Sequence, residues 1–364
     1  MTSFKKPSTR IIGLDVARAL ALFGMIVVNF KMVFGAKDSS GIIRVINLLD
    51  GKAAATFVVL AGVGMALITK KANKTNDLKE WTSIKKKILK RAILLFLIGV
   101  SYITIWPADI LHFYGVYMIV VIVLLKRTER SILLFGFGLI FIYPFLMMLW
   151  DYEMGWDFNS LTYNDFWTIR GFTRNLIYNG FHPVIPWSAF MVFGYWLGKQ
   201  DLQNVKFVKK LLLFSILAFV VVQITSSVLI NLLSGISPQT SKEIKELFGT
   251  SPMPPLPIYM LNGVAIAFTI ISASILIIGA NKKNRIAVAL AKTGQLALTF
   301  YVAHVILGMG IVESINPDKI GQYPLLFSVG YALVFSFSCV LFAWVWLKYN
   351  SIGPLEWIFR RITK

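Results

Sequence analysis

The chain contains three histidines, and their positions make them the first candidates for proton transfer. His112 and His182 each stand at the start of a long apolar stretch, and His304 falls near the middle of another. Imidazole exchanges protons readily near neutral pH, so a histidine in such a setting can deprotonate a hydroxyl or an amine. The alternatives are hydrogen-bonded structural histidines, or a three-histidine metal site, for which the chain lacks any close ligand spacing. We predict that at least one histidine is a catalytic base and that no metal is bound.

The first apolar stretch carries a second group of polar residues. Asp15 and Arg18 are three residues apart, and Asn29 lies near the other end of the same stretch. An ionisable side chain at membrane depth costs several kcal/mol unless it is paired or hydrated. At this helical spacing Asp15 and Arg18 can pair. They therefore form either a structural ion pair or a site in which Arg18 faces an anionic ligand from the cytoplasm.

The elements that position these residues are long apolar segments. Hydrophobic residues make up 57% of the 364 residues, and the mean hydropathy of +0.70 is too high for a soluble globule of this length. Ten segments are long enough to cross a bilayer. They are 11–33, 53–69, 91–107, 109–125, 131–150, 183–198, 209–233, 257–280, 294–313 and 325–347. We predict a single all-α domain over residues 1–364, a polytopic membrane helix bundle of about ten transmembrane helices.

The distribution of charge predicts the orientation of this bundle. Of the 37 Lys and Arg residues, 27 lie in the segments that are cytoplasmic if the N-terminus is inside, and 8 lie in the opposite segments. This asymmetry indicates that both ends are cytoplasmic. The net charge of +20 is then explained by loops facing anionic lipid rather than by binding to nucleic acid. The single cysteine, Cys339, excludes an intrachain disulfide and a cysteine-based metal site.

The longest predicted outer loop, 151–182, combines carboxylates, amides and aromatic residues. This mixture suits a polar ligand that contains a ring, such as a sugar, although an ordinary aromatic belt at the membrane surface has a similar composition. The candidate substrate contacts are Trp156, Asp157 and Asp165 in the loop and Trp187 just after it.

Several motifs resemble those of a known family. The segment Gly13-Leu-Asp-Val-Ala-Arg-Ala-Leu-Ala-Leu-Phe-Gly-Met-Ile-Val-Val-Asn-Phe30 is similar to the first helix of the transmembrane acyltransferases related to heparan-α-glucosaminide N-acetyltransferase. Four other stretches resemble bacterial members of that group and an allied uncharacterised membrane family. They are Thr56–Gly64, His182–Trp187 with Gly194 and Gly198, Thr293–Tyr301, and Gly353–Trp357. The resemblance covers most of the chain, and the order of the motifs is its strongest signal.

The resemblance implies transfer of an acyl group, expected to be acetyl, from cytosolic acyl-CoA to a sugar or other polar acceptor at the outer face of a bacterial plasma membrane. Related sugar O-acyltransferases carry an arginine followed eleven positions later by a catalytic histidine. Here Arg18 matches the arginine, Asn29 occupies the histidine position, and the following loop, 34–52, contains no histidine. His182 is then the preferred base, before His112 and His304. The residues expected to bind CoA are Arg18, Asp15, Lys87, Arg91, Lys283 and Arg285.

Two other functions remain open at this point. The intramembrane Asp15 and Arg18 also suit a transporter or flippase for a polar or lipid-linked solute. A non-catalytic protein with the acyltransferase fold is the third hypothesis, because the first-helix histidine is missing. The expected partners are the lipid bilayer and a cell-envelope glycan or small polar acceptor, without nucleic acid, and a homodimer is compatible with the sequence.

Overall fold

The structure is a computed structural model that describes residues 10–35, 43, 46–75, 77–158, 160–234, 238–280 and 284–363. Most of this part of the chain is helical, and a short β-hairpin pairs the two-residue strands β1 (Trp156–Asp157) and β2 (Thr162–Tyr163). The first eight helices are α1 (Ile12–Phe34), α2 (Lys52–Thr75), α3 (Leu78–Ser101), α4 (Leu111–Leu124), α5 (Glu129–Leu149), α6 (Ile169–Arg174), α7 (Val184–Lys199) and α8 (Val205–Leu233). The others are α9 (Pro238–Phe248), α10 (Pro257–Ala280), α11 (Arg285–Gln295), α12 (Ala297–Ala303), α13 (Gly310–Ile315), α14 (Leu325–Tyr349) and α15 (Pro354–Ile362).

The helical membrane bundle predicted from the sequence is confirmed. Within the described ranges, seven stretches are long and apolar enough to cross a membrane: α1, α2, α5, α8, α10, the segment that contains α12 and α13, and α14. The other three predicted segments coincide with α3, α4 and α7, which are shorter or carry more charge. Ten crossings and a cytoplasmic N-terminus therefore stay predictions.

Two predicted segments have different bounds in the structure. Only residues 91–101 of the predicted segment 91–107 belong to α3, which ends at Ser101. The helix also begins earlier than predicted, because the Asp77 side chain accepts a hydrogen bond from the backbone N–H of Lys79 and caps it. The lysine-rich first half of α3 is exposed and polar, so apolarity alone did not reveal it. The segment 294–313 is interrupted after Gln295 and again by a π-helical turn, His304–Met309. Such turns are frequent at functional sites.

Glycines allow α2 and α7 to pack with their backbones almost in contact. A Cβ atom on Gly62 would lie 2.1 Å from the carbonyl oxygen of Met191, and one on Gly194 would lie 2.0 Å from that of Val59. Both glycines belong to the motifs singled out in the sequence. Close approach between membrane helices through small residues maximises van der Waals contact where lipid offers no hydrophobic driving force.

We therefore expect Gly194→Ala to lower the free energy of unfolding by about 2–3 kcal/mol, because the added methyl group meets backbone atoms that cannot move independently. Thermal or urea unfolding in detergent measures this change. Gly138→Ala is the matched control, since a Cβ atom at this position in α5 meets no heavy atom within 4 Å. Equal stability of the two variants would contradict the close packing of α2 on α7.

Candidate functional site

A buried carboxylate organises the polar centre of the bundle. Asp109 lies in the turn between α3 and α4, and its side chain is inaccessible to solvent. Its Oδ1 accepts hydrogen bonds from the hydroxyls of Tyr102 (2.6 Å) and Tyr301 (3.0 Å), and its Oδ2 accepts one from the backbone N–H of Leu111 (2.8 Å). A buried charge needs such partners to offset its lost hydration. Asp109 thereby connects the α3–α4 turn to α12, although the two are far apart in sequence.

His112 is attached to the same carboxylate. Its Nδ1 lies 3.3 Å from Oδ2 of Asp109, its side chain is 1% exposed, and its Nε2 is buried without a hydrogen-bond partner. Because a carboxylate accepts hydrogen bonds, Nδ1 is the donor when the imidazole is neutral. His112 is therefore oriented by Asp109 and has one ring nitrogen that is buried without a hydrogen-bond partner in the described part of the chain.

His304 is paired with Asn29 of the first helix. The Nδ1 of His304 hydrogen-bonds to the backbone carbonyl of Tyr301, which can only accept, so Nδ1 carries the proton. The Nε2 atom then accepts from the Asn29 amide at 2.9 Å. Asn29 is the residue that stands eleven positions after Arg18, where the motif discussed above would have a histidine. In this fold the π-helical turn after α12 brings a histidine side chain next to that position.

His182 faces a cavity of about 120 Å³, which we call the His182 cavity. Its other polar walls are Asn29 of α1 and Asp50, whose carboxylate is bound by Lys31 at 2.7 Å.

His182 lies in the loop before α7, where burial lowers the pKa of its imidazole. The nearby Asp109 carboxylate has the opposite effect but does not reverse this shift. The imidazole is therefore neutral at physiological pH and able to accept a proton. Of the three histidines, His112 and His304 are fully buried, and His182 is partly exposed.

A second cavity, of about 310 Å³, lies toward the other end of the bundle, which is predicted to be cytoplasmic; we call it the Arg18 cavity. Arg18, Lys87 and Arg91 supply positive charge to its wall, and Glu356 supplies a carboxylate. Asp15 does not line this cavity. It is buried and holds Arg18 at 2.8 Å, while Arg10 approaches its second oxygen at 2.6 Å. Asp15 thus positions the arginine, and its predicted part in CoA binding stays a prediction.

A thin wall separates the two cavities. No residue lines both of them in the described part of the chain. On α2, Ala54 lines the His182 cavity and Phe57 lines the Arg18 cavity, a separation of about 4.5 Å along the helix. The Phe57 ring stacks on that of Tyr301 at 6.2 Å between centroids, and the Tyr301 hydroxyl donates to Asp109. The Asp109 centre therefore lies between a basic cavity and a histidine-containing cavity.

The predicted outer loop folds into an aromatic groove beside the His182 cavity. This Trp156 groove has a volume of about 170 Å³, and Phe181 lines both it and the His182 cavity. The groove is lined by Ile103, Thr104, Pro107, Trp156, Leu161, Thr162, Tyr163, Phe166, Trp167, Asn175 and Phe181.

An ion pair holds the loop in shape. Arg174 contacts both carboxylate oxygens of Asp165 at 2.6 and 2.7 Å and donates to the Tyr163 hydroxyl. Burial raises the pKa of Tyr163 despite the neighbouring guanidinium, so its hydroxyl stays protonated and donates to Asn179. Asp165 therefore stabilises the loop.

The remaining candidates from the sequence occupy varied positions. Trp187 is completely buried and packs against the His182 ring at 4.5 Å between centroids, so it supports the imidazole. Asp157 accepts a hydrogen bond from Ser160 within the loop. Arg285 is exposed in the first turn of α11 and does not line the Arg18 cavity, and Lys283 lies outside the described residues.

Sequence reasoning missed two carboxylates of this site. Asp109 is not among the residues singled out from the sequence, although an acidic residue two positions after Pro107, between two apolar segments, is a usable signal. Glu356 of α15 accepts hydrogen bonds from the backbone N–H groups of Leu298 and Thr299 and thereby caps the first turn of α12. It belongs to the Gly353–Trp357 motif, whose function becomes visible only when α15 is seen against α12.

Comparison with known families gave two matches that together span the described chain. Residues 10–226 match a family described as the catalytic domain of heparan-alpha-glucosaminide N-acetyltransferase. Residues 195–364 match a family described as a protein of unknown function (DUF418). No curated protein matches the chain. The first match contains Arg18, Asn29, Asp109, His112 and His182, whereas His304 and Glu356 lie within the second.

Proposed function

Because the chain belongs to the heparan-alpha-glucosaminide N-acetyltransferase catalytic family, we propose that it transfers an acetyl group from acetyl-CoA, or another acyl group from its CoA thioester, to a sugar or other polar acceptor. One observation carries the proposal: a basic cavity and a histidine-containing cavity face each other across the Asp109 centre. The protein is a multi-pass membrane protein. A bacterial plasma membrane is part of the proposal and rests on the resemblance of its motifs to bacterial acyltransferases.

The Arg18 cavity is proposed to hold the acyl-CoA. Arg18 and Arg91 present guanidinium groups, which bind phosphate oxygens through paired hydrogen bonds, and Lys87 adds a point charge. The apolar wall formed by Leu60, Met65 and Phe57 suits the acyl and pantetheine parts of the donor. The thioester would then lie against the wall at Phe57, close to the Asp109 centre.

The His182 cavity and the adjoining Trp156 groove are proposed to hold the acceptor. Aromatic rings beside hydroxyl and amide groups, as in Trp156, Thr162 and Asn175, provide both an apolar face and hydrogen bonds for a sugar ring. Because Phe181 lines both, the groove and the cavity adjoin, and we propose that a sugar in the groove places one hydroxyl or amine near His182. A glycan of the cell envelope fits these features.

The chemistry requires one proton acceptor and one polarised carbonyl. His182 would take the proton from the acceptor hydroxyl or amine as its oxygen or nitrogen attacks the thioester carbon. The carbon–sulfur bond then breaks, and the CoA thiolate receives the proton from the imidazolium. The products are the acylated acceptor and CoA–SH. Asn29, which is already bound to His304, is placed to donate to the oxyanion that forms during the attack.

The test is transfer of label from radioactive acetyl-CoA in proteoliposomes containing the full chain. D-glucosamine and D-glucose serve as matched acceptors that differ in the amine at one carbon.

We expect Arg91→Ala to weaken acetyl-CoA binding at least tenfold because it removes a phosphate-binding guanidinium. Isothermal titration measures this change. Lys90→Ala is the control, since Lys90 is the neighbouring base but does not line the cavity. Saturable solute uptake without CoA, in the absence of transfer, would instead support a transporter.

A further inference from the structure

The C-terminal helix α15 has the composition and placement of an interfacial helix. The apolar span α14 ends at Tyr349, and α15 begins at Pro354. The end of α14 carries Trp344, stacked under the Lys348 ammonium at 3.5 Å, as expected for the boundary between hydrocarbon and headgroups. A helix that starts only five residues beyond such a boundary remains within reach of the lipid headgroups.

One side of α15 packs against the bundle, and the other is unpartnered. Phe359 is 2% exposed and lines the Arg18 cavity, whereas Trp357, Ile358 and Ile362 are 49%, 40% and 51% exposed. A short helix with large apolar side chains and adjacent basic residues lies in the membrane interface rather than in water. The exposed apolar residues of α15 therefore face lipid.

Two arginines on this helix lack an acidic partner. Arg360 and Arg361 line a shallow groove with Ile352 and Trp357, and neither pairs with a carboxylate in the described part of the chain. The Arg361 guanidinium lies over the Trp357 ring at 5.2 Å, which holds it toward the groove. Two guanidinium groups beside an exposed indole match an anionic headgroup whose acyl chains continue into the bilayer.

We propose that Trp357, Arg360 and Arg361 bind the phosphate headgroup of an anionic phospholipid. The same helix carries Glu356, which caps α12, and Phe359, which forms part of the Arg18 cavity. A bound headgroup therefore stabilises α15 in the position that completes this cavity. This second step rests on the proposed function, because it predicts that anionic lipid strengthens the binding of acyl-CoA. The headgroup site itself does not depend on it.

The experiment compares the full chain with Arg360→Gln/Arg361→Gln and with Lys209→Gln/Lys210→Gln. The second pair removes two exposed bases of α8, remote from α15 in the chain and at the end of α8 that is predicted to be cytoplasmic. Binding of fluorescent phosphatidylglycerol is measured in neutral detergent micelles. We expect the arginine variant to lose about tenfold to thirtyfold in affinity and the lysine variant to resemble the unmodified chain. Equal phosphatidylglycerol affinity in all three proteins would overturn the headgroup site.

A second arm separates lipid phosphate from the phosphates of CoA. Acetyl-CoA affinity is measured in nanodiscs of phosphatidylcholine alone and of phosphatidylcholine with one quarter phosphatidylglycerol. We expect the anionic lipid to tighten binding in the unmodified chain and not in the arginine variant. If the arginine variant loses acetyl-CoA affinity equally in both kinds of nanodisc, the arginines contact CoA directly. That result would overturn the proposed link between headgroup binding and acyl-CoA binding. Absence of acetyl-CoA binding in every protein and in both lipid mixtures would contradict the proposed function. The headgroup site would still be tested, because phosphatidylglycerol binding is measured without acetyl-CoA.

Discussion

Replacing His182 by alanine is expected to reduce acyl transfer by roughly 10²–10⁴-fold while leaving acetyl-CoA affinity unchanged. The physical reason is that His182 is a partly exposed neutral imidazole on the cavity proposed for the acceptor, and it lies outside the cavity proposed for the donor. Single-turnover transfer of radioactive acetyl groups to D-glucosamine or D-glucose measures the loss. Titration with acetyl-CoA and thermal unfolding of the same protein show whether the donor site and the fold are retained.

The pH profile gives this prediction a second readout. Because burial lowers the pKa of His182, its neutral form is already present at pH 5, and protonation occurs only as the pH falls further. Transfer to a hydroxyl acceptor is therefore expected to lack a decline near pH 6.5, where an unperturbed histidine titrates. Unchanged transfer by His182→Ala, together with loss of transfer by His304→Gln, would assign proton abstraction to the histidine paired with Asn29 and refute the role proposed for His182.

Replacing Asp109 by alanine is expected to cause the largest loss of stability, about 3–5 kcal/mol. The substitution leaves the hydroxyls of Tyr102 and Tyr301, the backbone N–H of Leu111 and the Nδ1 of His112 without their acceptor in a site closed to solvent. Denaturant unfolding in detergent measures the free energy change.

Two further variants bracket this effect. Asp109→Asn keeps one oxygen for the tyrosine hydroxyls and is expected to lose less stability than Asp109→Ala. Asp201→Ala removes an exposed loop carboxylate that accepts a hydrogen bond from the backbone N–H of Gln203, and it is expected to change stability by less than about 1 kcal/mol. An Asp109→Ala protein as stable as Asp201→Ala would show that the Asp109 centre does not hold α4 and α12 together.

The helices were largely predictable because each span must satisfy its backbone hydrogen bonds within itself and present apolar side chains to lipid. This local requirement is visible in α1, α8 and α10, whose predicted segments overlap the observed helices closely. It fails for α3, where a capped, lysine-rich half precedes the apolar half. It also fails near His304, since a π-helical turn changes the hydrogen-bond pattern without changing composition.

The candidate site was predictable in kind but not in arrangement. Histidine, arginine and buried carboxylate side chains inside apolar segments were visible as unusual because each is costly in a membrane. Their partners were not visible. Asn29 and His304 are 275 residues apart and Asp109 and Tyr301 are 192 apart, and no local periodicity links residues over such distances.

The three histidines show what was determined locally and what depended on tertiary contacts. By itself the sequence determined that the chain is a helical membrane protein with proton-transferring side chains within apolar segments, because length, apolarity and chemical type are local properties. Only the tertiary structure decided that His112 is bound to Asp109, that His304 is paired with Asn29, and that His182 remains on a cavity surface. The physical reason is that glycine-mediated helix packing and buried hydrogen bonds, formed between distant segments, determine which polar groups meet and which stay free.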